Sequence, residues 1–347
     1  MAQKYGFKGI ELSYEDLQHV AAVMPGGCSP PNLLAAARQT RRWCDTRKQE
    51  IICLQPFMHF GGLLDRSKAE KDLETIELWA DLASTLGTNL ILLPSSFLPA
   101  TQLTDNMSVL VDDFQNAADI GLRKSPTVRF AFEALCWGTR VNAWEDSWKI
   151  VSAVNRPNFG LCFDTFNIAG HIFADPATPG GCQPNADANL QGSMQRLMAL
   201  VDDISKVFLV QVADAERLEK PLDDEAHPFY DAEQPARMSW SRNCRLFYGE
   251  DRLGGYLPVK RILQTVVQRL GYRGWLSFEV FHHRLTESDG AVPQLFAARA
   301  SWSWARLVRD LSLEPARPST RVWAEKGACC VVGCHQQDYD ECIWLCE

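Results

Sequence analysis

The sequence lacks an excess of positive charge. Its 347 residues include 35 Lys and Arg against 43 Asp and Glu, which gives a formal net charge of -8 at pH 7. Proteins with a general affinity for nucleic acid rely on clustered basic side chains that neutralise phosphates. The acidic balance therefore argues against a nucleic-acid partner.

Long apolar runs are also absent from the sequence. No segment approaches the roughly 18 to 20 apolar residues that span a bilayer. The first residues, "MAQKYGFKGIEL", have neither the basic start nor the apolar stretch of a signal peptide. Because 46% of the residues are hydrophobic and can form a core, we expect a globular cytoplasmic protein with no membrane partner.

Paired zinc-binding CxxC motifs are missing, although the chain has 12 cysteines. Seven of them lie between Cys28 and Cys244, several in strand-like runs such as "IICLQPF" and "GLCFDTF", and we expect small buried hydrophobes there. The other five crowd the end of the chain at spacings that do not fit zinc ligands. We expect residues 313–347 to be a disordered Cys-rich tail after a domain formed by residues 1–312.

What the sequence does contain is an alternation of short apolar runs with longer amphipathic stretches. This alternation is typical of parallel strands joined by helices. Seven runs are predicted to be strands, and they are "GIEL" (9–12), "IICLQPF" (51–57), "LILLPSS" (90–96), "VRFAFEAL" (128–135), "FGLCFDTFN" (159–167), "VFLVQVAD" (207–214) and "WLSFEVF" (275–281). Their spacing of roughly 30 to 50 residues predicts an α/β fold of the (β/α)8 TIM-barrel type.

Seven strands are one fewer than a complete barrel has. The opening "AQKYGFKGIEL" reads as the end of a helix that leads into a strand, so we expect the first strand to be missing from this chain. A barrel without one strand has two unpaired edges, which predicts poor stability. By analogy with a βα unit, a complete barrel would have about twenty to thirty further residues.

The longest connection between predicted strands runs from about residue 215 to residue 258. It is rich in aromatic residues, Arg and Pro and has no clear periodicity. Loops of this length in compact domains are usually functional. In a barrel, this one would lie over the C-terminal mouth.

Four of the predicted strands carry one polar residue near the C-terminal end, where barrels place catalytic groups. These residues are Glu133, Asp164, Gln211 and Glu279. Taken singly, a strand-end acid is often a helix cap or the partner of an Arg. Taken together, converging carboxylates repel one another, and a divalent cation relieves the repulsion. Oxygen ligands favour Mg²⁺ or Mn²⁺, with Co²⁺ as a further option.

These residues and the sequence motifs around them resemble those of a known family. The order Glu, Asp, Gln and Glu on successive strands resembles the metal set of the xylose isomerase-like TIM barrels. More specific sequence motifs resemble those of the fungal 3-dehydroshikimate dehydratases, and the resemblance covers about residues 3–310. These motifs are "QPF" (55–57), "EALCWG" (133–138), "CFDTFNIAG" (162–170), "QVADAER" (211–217), "MSWSRNCRLFYGE" (238–250) and "SFEVFHHRL" (277–285). The resemblance implies a hydro-lyase that converts 3-dehydroshikimate to protocatechuate in quinate and shikimate catabolism, with a metal bound by Glu133, Asp164, Gln211 and Glu279.

The implied substrate is a small cyclohexenone carboxylate. Its carboxylate is suited to a side chain that donates two hydrogen bonds and carries a positive charge, as arginine does. The segment "SWSRNCRLF" contains two candidates, Arg242 and Arg245, and we prefer Arg242 as a binding and catalytic residue. Solvent-facing salt bridges are the alternative for both. We also expect Asn167 and Trp137 to contact the substrate, and a homo-oligomer is left open.

The general base has two candidates. His59 follows the second predicted strand and His282 follows Glu279 by three residues, and either can titrate near neutral pH. A histidine at a strand end can equally be a structural hydrogen-bond partner. Two departures from the family bear on activity. Bacterial relatives tend to carry His where this chain has Asn167, and relatives commonly carry Glu where it has Gly61.

Other functions remain open from the sequence. The same fold and metal could isomerise or epimerise a sugar or keto-polyol, since fold does not fix function. A nuclease of the endonuclease IV type would need more histidines than the seven present and a basic groove. The chain could also be an inactive, truncated member of its family. Four aromatic side chains are candidates either for pocket walls or for core packing, namely Phe60, Trp137, Trp240 and Phe247.

Overall fold

The computed structural model describes residues 2–223 and 225–313, so the predicted Cys-rich tail from residue 314 onward lies outside the described residues. The contacts divide the chain into two compact units. Among the described residues, the N-terminal unit comprises 8–162 and 206–208, and the C-terminal unit comprises 2–7, 163–205, 209–223 and 225–313. Each unit is described separately below.

Seven strands form one sheet in the order β1-β2-β3-β4-β5-β6-β9. The pairs with a defined register all run parallel. The strands are β1 Gly9–Ser13, β2 Glu50–Gln55, β3 Leu90–Pro94, β4 Arg129–Glu133, β5 Phe159–Asp164, β6 Val207–Val212, β7 Asp214–Ala215, β8 Arg245–Leu246 and β9 Leu276–Phe278. Strands β5 and β6 contain residues of both units. The prediction of seven parallel strands is confirmed.

The helices alternate with the strands of the sheet, as the sequence pattern predicts. The N-terminal unit contains α1 Tyr14–Ala22, α2 Pro30–Thr46, α3 Arg66–Leu86, α4 Met107–Leu122 and α5 Trp144–Val154. The C-terminal unit contains α6 Thr165–Ile172, α7 Ala186–Leu200, α8 Ala236–Cys244, α9 Val259–Leu263 and α10 Val292–Asp310. Helix α9 continues as a π-helical turn over Gln264–Arg269.

The third helix shows how local sequence sets an element. Asp65 caps its start by accepting hydrogen bonds from the backbone N–H groups of Ser67 and Lys68. Gly87 ends it with a left-handed φ of 77°, which glycine adopts without steric cost. The apolar stripe, which includes Ile76 and Trp79, is buried. An aspartate cap at the start and a glycine cap at the end therefore set the length of α3.

The core of the N-terminal unit is a cluster of aromatic rings around Phe114 of α4. Its ring centroid lies 4.7 Å from that of Phe132 on β4 and 5.0 Å from that of Phe159 on β5. Phe60, which follows β2, packs against the same ring at 5.8 Å. Such offset ring pairs add stabilisation beyond the apolar area that they bury.

The loop after β2 packs on this aromatic cluster. Gly61 has a φ of +88°, and a Cβ atom placed on it would lie 3.0 Å from the side chains of both Leu110 and Phe114. Buried Asp113 fixes the loop, because it accepts a hydrogen bond from the Gly62 N–H at 2.8 Å and forms an ion pair with Arg66. Position 61 is therefore built for glycine in this chain, in place of the Glu that we expect in relatives.

Gly61→Ala is expected to destabilise the protein more than a matched glycine substitution does. The left-handed backbone alone costs an L-residue roughly 1–2 kcal/mol. Contact with Leu110 and Phe114 should add about 1–3 kcal/mol of overpacking. Gly180→Ala is the control, since Gly180 has a similar φ of +82° and a Cβ atom placed there would have no neighbour within 4 Å. Urea unfolding of both variants measures the difference, and equal losses would show that the packing contact costs nothing.

The long segment 215–258 of the C-terminal unit contains regular structure where the sequence shows no periodicity. Helix α8 lies inside it, and β7 and β8 pair antiparallel. Helix α8 buries Met238 and Trp240. The sequence pattern misses this helix because it is short and Ser, Asn and Arg occupy much of it.

The seven cysteines of the described residues are all free thiols. Five of them are buried, and they are Cys44, Cys53, Cys136, Cys162 and Cys244. The predicted role as small buried hydrophobes is confirmed for these five. Over the same described residues, no helix combines the length and the apolar character needed to cross a membrane.

Candidate metal centre

The four polar residues predicted at strand ends lie there in the structure. Glu133 is the last residue of β4, Asp164 is the last residue of β5, Gln211 lies one residue before the end of β6, and Glu279 directly follows β9. All four are buried, with exposed fractions of 3%, 1%, 0% and 8% respectively. Buried carboxylates need compensating charge or hydrogen bonds, so the partners of each decide what the site can do.

Asp164 joins β5 to α6. Its Oδ1 accepts the N–H of Phe166 at 2.7 Å, so the side chain caps α6. Its Oδ2 accepts hydrogen bonds from Asn167 Nδ2 and Arg245 Nη1, both at 2.8 Å. The predicted strand over 159–167 therefore ends early, because Asp164 starts a helix at Thr165.

Glu279 accepts hydrogen bonds at both carboxylate oxygens. Gln211 Nε2 donates to its Oε1 at 3.0 Å, and Arg245 Nη1 donates to its Oε2 at 3.0 Å. The Nε2 of Gln211 is engaged in this hydrogen bond with Glu279. The Oε1 of Gln211 is therefore the side-chain atom of that residue that can bind a cation. A carboxylate oxygen of Asp164 and one of Glu279 lie within 4.8 Å of each other.

Arg245 supplies the positive charge that compensates these carboxylates, and it is 1% exposed. Besides the two carboxylates, its Nε donates to Ser241 Oγ at 3.0 Å. The guanidinium carbon lies 4.4 Å from the ring centroid of Phe166 and 5.2 Å from that of Phe281. The sequence offers Arg245 as a substrate ligand, and the structure places its guanidinium against Asp164 and Glu279.

The donor chemistry of the cluster fits a divalent cation. Asp164 and Glu279 are buried acidic side chains of the C-terminal unit with the chemistry to hold a metal ion, and Gln211 contributes an amide. A carboxylate has about four lone-pair sites, and Oδ1 of Asp164 accepts one N–H, so it can also bind a cation. Oxygen donors of this kind suit hard divalent ions.

Glu133 and Trp137 belong to the N-terminal unit. The backbone carbonyl of Glu133 accepts the N–H of Ser95 at 2.8 Å, and Ser95 Oγ accepts the N–H of Leu135 at 3.0 Å. These bonds fix the chain where β4 ends. Among the described residues, the indole Nε1 of Trp137 is buried without a hydrogen-bond partner.

His59 lies in the turn after β2 with a left-handed φ of 61°. Its Nδ1 lies 3.1 Å from Ser96 Oγ, and its ring packs edge-on against Phe97. Burial, and secondly the charge of Lys68, lower the pKa of His59 below its ordinary value of 6.5. The imidazole is therefore neutral at pH 7 and able to accept a proton.

His282 belongs to the C-terminal unit and is engaged by its own loop. Its Nδ1 accepts the N–H of Arg284 at 3.2 Å, and its ring stacks on His283 with centroids 4.3 Å apart. Burial is the main reason why its pKa falls to about 3, and nearby His283, Arg299 and Arg284 lower it further. A base of such low pKa accepts a proton poorly at neutral pH.

Arg242 lies three residues before Arg245 but in a different environment. It is exposed on α8, and its Nη1 donates to Gln234 Oε1 at 2.8 Å. Its partner is therefore a neutral amide at the surface, whereas Arg245 is buried against two carboxylates.

The packing of the aromatic candidates shows which of them belong to the hydrophobic core. Trp240 is fully buried, donates its indole N–H to the Glu216 carbonyl at 2.9 Å and packs on Phe166. Phe247 belongs to a hydrophobic cluster with Phe296 and Val292 of α10. Both are core residues. Phe60 lines a small cavity of about 20 Å³, which is enough for a water molecule.

Asp214 is a buried acid that the sequence pattern did not single out. Its Oδ1 accepts backbone N–H groups from Ala215, Tyr256 and Leu257 at 2.7, 3.0 and 2.8 Å. Burial raises its pKa to about 7 in spite of these three donors, which act in the opposite direction. Asp214 ties β7 to the chain at 256–257, and no local sequence signal distinguishes it from an ordinary loop aspartate.

The family model of the xylose isomerase-like TIM barrels matches residues 1–306. The chain belongs to this family, and the predicted fold class is confirmed. Within it, the chain is 50% identical over 323 residues to the 3-dehydroshikimate dehydratase of Neurospora crassa, which covers 91% of this chain and 89% of the relative. The resemblance predicted from the motifs is therefore confirmed.

A bacterial relative matches a smaller share of its own length. The 3-dehydroshikimate dehydratase of Pseudomonas aeruginosa is 32% identical over 80% of this chain, which spans 34% of that relative. Among solved structures, a fusion of a xylose isomerase-like TIM barrel with 4-hydroxyphenylpyruvate dioxygenase matches with a TM-score of 0.63 and 25% identity, covering 90% of this chain and 40% of the other. The probable 3-DHS dehydratase AsbF of Bacillus anthracis matches with a TM-score of 0.52 at 16% identity, covering 83% of this chain and 92% of the other, which bears on the fold alone.

Proposed function

We propose that this chain is a divalent-metal-dependent 3-dehydroshikimate dehydratase that acts in quinate and shikimate catabolism. The observation that carries the proposal is the 50% identity to the Neurospora crassa enzyme across 91% of this chain. The buried oxygen donors at the strand ends support it, since they supply the ligands that the reaction needs. A cytoplasmic location and a homo-oligomeric state stay predictions from the sequence.

The proposed reaction converts a cyclohexenone carboxylate into an aromatic ring. A base removes a carbon-bound proton next to the ketone, and the C–H electron pair forms the double bond of an enolate. As the enolate returns to the ketone, its electron pair forms the next ring double bond, and the hydroxyl on that adjacent carbon leaves with a proton as water. Loss of a further ring proton from carbon and gain of a proton by the ketone oxygen yield the aromatic diol, with no change in overall oxidation state. The protein must therefore hold the ketone oxygens, accept a proton and assist the leaving hydroxide.

Glu133, Asp164, Gln211 and Glu279 are the proposed ligands of Mg²⁺ or Mn²⁺, with Co²⁺ as a further option. When bound, the cation supplies Lewis-acid stabilisation to the oxygen that gains negative charge. The hydrogen bonds of Asn167 to Asp164 and of Gln211 to Glu279 orient the two carboxylates. Hydrogen bonds to ligand carboxylates fix the geometry of the ligands before a cation arrives.

His59 is the proposed general base. Its lowered pKa keeps the ring neutral at pH 7, and its contact with Ser96 fixes the ring orientation. His282 is less suited, because its Nδ1 already accepts a backbone N–H and its pKa is about 3. Asn167 cannot accept a proton, so it does not replace the histidine expected there in relatives.

Arg242 is the proposed partner of the substrate carboxylate. The guanidinium of Arg245 is committed to Asp164 and Glu279, whereas Arg242 bonds a neutral amide that a carboxylate can displace. An ionised donor and acceptor make a stronger hydrogen bond than a neutral pair. Trp137 and Asn167 stay predicted substrate contacts.

An enzyme assay tests the proposed function directly. Purified chain is incubated with 3-dehydroshikimate and Mn²⁺ or Mg²⁺, and the ultraviolet absorbance of protocatechuate is followed. We expect product only with metal, and loss of the signal after EDTA. Absence of product from protein that binds metal would refute the dehydratase function for this chain. Production without any metal dependence would refute the metal centre.

Arg242→Ala is expected to raise KM for 3-dehydroshikimate roughly 10–100-fold, because a charge-assisted hydrogen bond is lost. The chemical step should change less, so kcat should fall by a smaller factor. Arg252→Ala is the matched control, since Arg252 is an exposed arginine of the same segment. Equal KM values for the two variants would contradict the role of Arg242.

A further inference from the structure

The cluster around Arg245 contains more than a metal site needs. A buried arginine is costly unless each charge is compensated. Its Nη1 donates to Asp164 and to Glu279, at 2.8 and 3.0 Å. One nitrogen thus bridges the two carboxylates whose oxygens lie within 4.8 Å of each other.

The guanidinium is held rigidly in this position. Its Nε donates to Ser241, and the planar group lies near the rings of Phe166 and Phe281. The backbone of Arg245 is also fixed, because its N–H donates to the Phe281 carbonyl at 3.0 Å. The backbone N–H, Nε and Nη1 of Arg245 are therefore all anchored to the C-terminal unit.

We propose that Arg245 is a built-in counter-ion that holds Asp164 and Glu279 together without metal and moderates the metal affinity of the site. The inference rests on the proposed function, which assigns both carboxylates as metal ligands. Without a nearby cation, two buried carboxylates at this distance repel each other strongly. Arg245 removes this repulsion in the metal-free protein.

The same charge has a second consequence. A guanidinium that contacts both ligands also repels an incoming divalent cation, so it makes metal binding weaker than the carboxylates alone would allow. Metal-free protein is then stable, and metal exchange does not require unfolding. An arginine with a purely structural role would instead support the metal-free and metal-bound proteins equally.

Arg245→Met tests the inference on the full chain. We expect the melting temperature of the metal-free variant to fall by roughly 5–10 °C, as loss of a buried ion-pair partner predicts. Saturating Mn²⁺ should recover at least half of this loss. By linkage, Mn²⁺ should bind the variant more tightly than the unchanged chain, by about tenfold, in isothermal titration calorimetry.

Two further variants keep the test decisive. Arg245→Lys retains the charge, so its metal-free melting temperature should fall less than that of Arg245→Met. If Arg245→Met does not fold, the double variant Arg245→Met/Glu279→Gln should recover metal-free stability, because one of the two repelling charges is gone. Failure of that recovery would overturn the inference.

The outcomes separate the inference from the function on which it rests. An equal loss of melting temperature with and without Mn²⁺, or weaker Mn²⁺ binding by Arg245→Met, would overturn the counter-ion role and leave the metal centre standing. If the unchanged chain showed no Mn²⁺ binding by calorimetry, both the metal centre and the counter-ion role would be wrong.

Discussion

Replacing Glu133 by glutamine is expected to weaken Mn²⁺ binding more than a hundredfold while the chain stays folded. Glu133 is the last residue of β4, and its partner in register on β5, Cys162, lies two residues before Asp164. An amide offers the cation a neutral oxygen in place of a charged one. Changes to the hydrogen-bond partners of metal ligands typically cost about 10–100-fold in affinity, so loss of a ligand itself should cost more.

Asp113→Asn is the matched control for Glu133→Gln. Asp113 is also a buried acid, but its partners are Arg66 and the Gly62 N–H, and neither residue is a proposed ligand. We expect this variant to lower the free energy of unfolding and to leave the Kd for Mn²⁺ unchanged in calorimetry. Unchanged metal binding in Glu133→Gln would refute Glu133 as a ligand. Equal loss in both variants would point to general destabilisation.

The sheet could be predicted because strands buried on both faces read as nearly continuous apolar runs. The run "LILLPSS" therefore locates β3, and "VRFAFEAL" locates β4 to within two residues at its end. The end of β5 was harder, since "FGLCFDTFN" stays apolar after the strand has become a helix. The side chain of Asp164 decides that boundary by capping α6, which hydrophobicity does not reveal.

The strand-end residues of the candidate site were equally accessible to sequence reasoning. A single polar residue in an apolar run is a strong local signal, and the fold places the ends of parallel strands together. No local sequence signal of this kind indicates the contacts of Arg245. Its carboxylate partners, Asp164 and Glu279, are 81 and 34 residues away in the chain. The segment "SWSRNCRLF" contains two arginines, and its residue pattern does not show which of them is buried. The end of helix α8 lies between them, so Arg242 is exposed in the last turn of the helix and Arg245 begins β8.

Under our proposals, Arg242 and Arg245 divide the positive charge of the site between them. A cation buried beside the ligands acts on the metal-free protein, and a cation at the surface can act on an anionic substrate. Neither function can replace the other, because desolvation strengthens the first interaction and access to solvent permits the second. Under our two proposals, the segment "SWSRNCRLF" therefore provides a counter-ion at Arg245 and a substrate contact at Arg242.

His59→Asn is expected to lower kcat roughly 10²–10⁴-fold, the usual contribution of a general base. Asn tolerates the left-handed backbone that His59 adopts and can still bond Ser96, but it cannot accept a proton. In the unchanged chain, activity should rise with pH as His59 loses its proton. Because the pKa of His59 is lowered from 6.5, this rise should lie below pH 6.5 in the profile of kcat/KM.

His282→Asn is the matched control for the base. Asn is a good acceptor for the Arg284 N–H that His282 now binds, so the loop should keep its structure and kcat should change little. The acid limb of the pH profile should persist in His282→Asn and disappear from the residual activity of His59→Asn. The opposite pattern, with the larger loss in His282→Asn, would transfer the role of base to His282. The comparison is decisive because both substitutions keep a local hydrogen bond and remove only the ability to accept a proton.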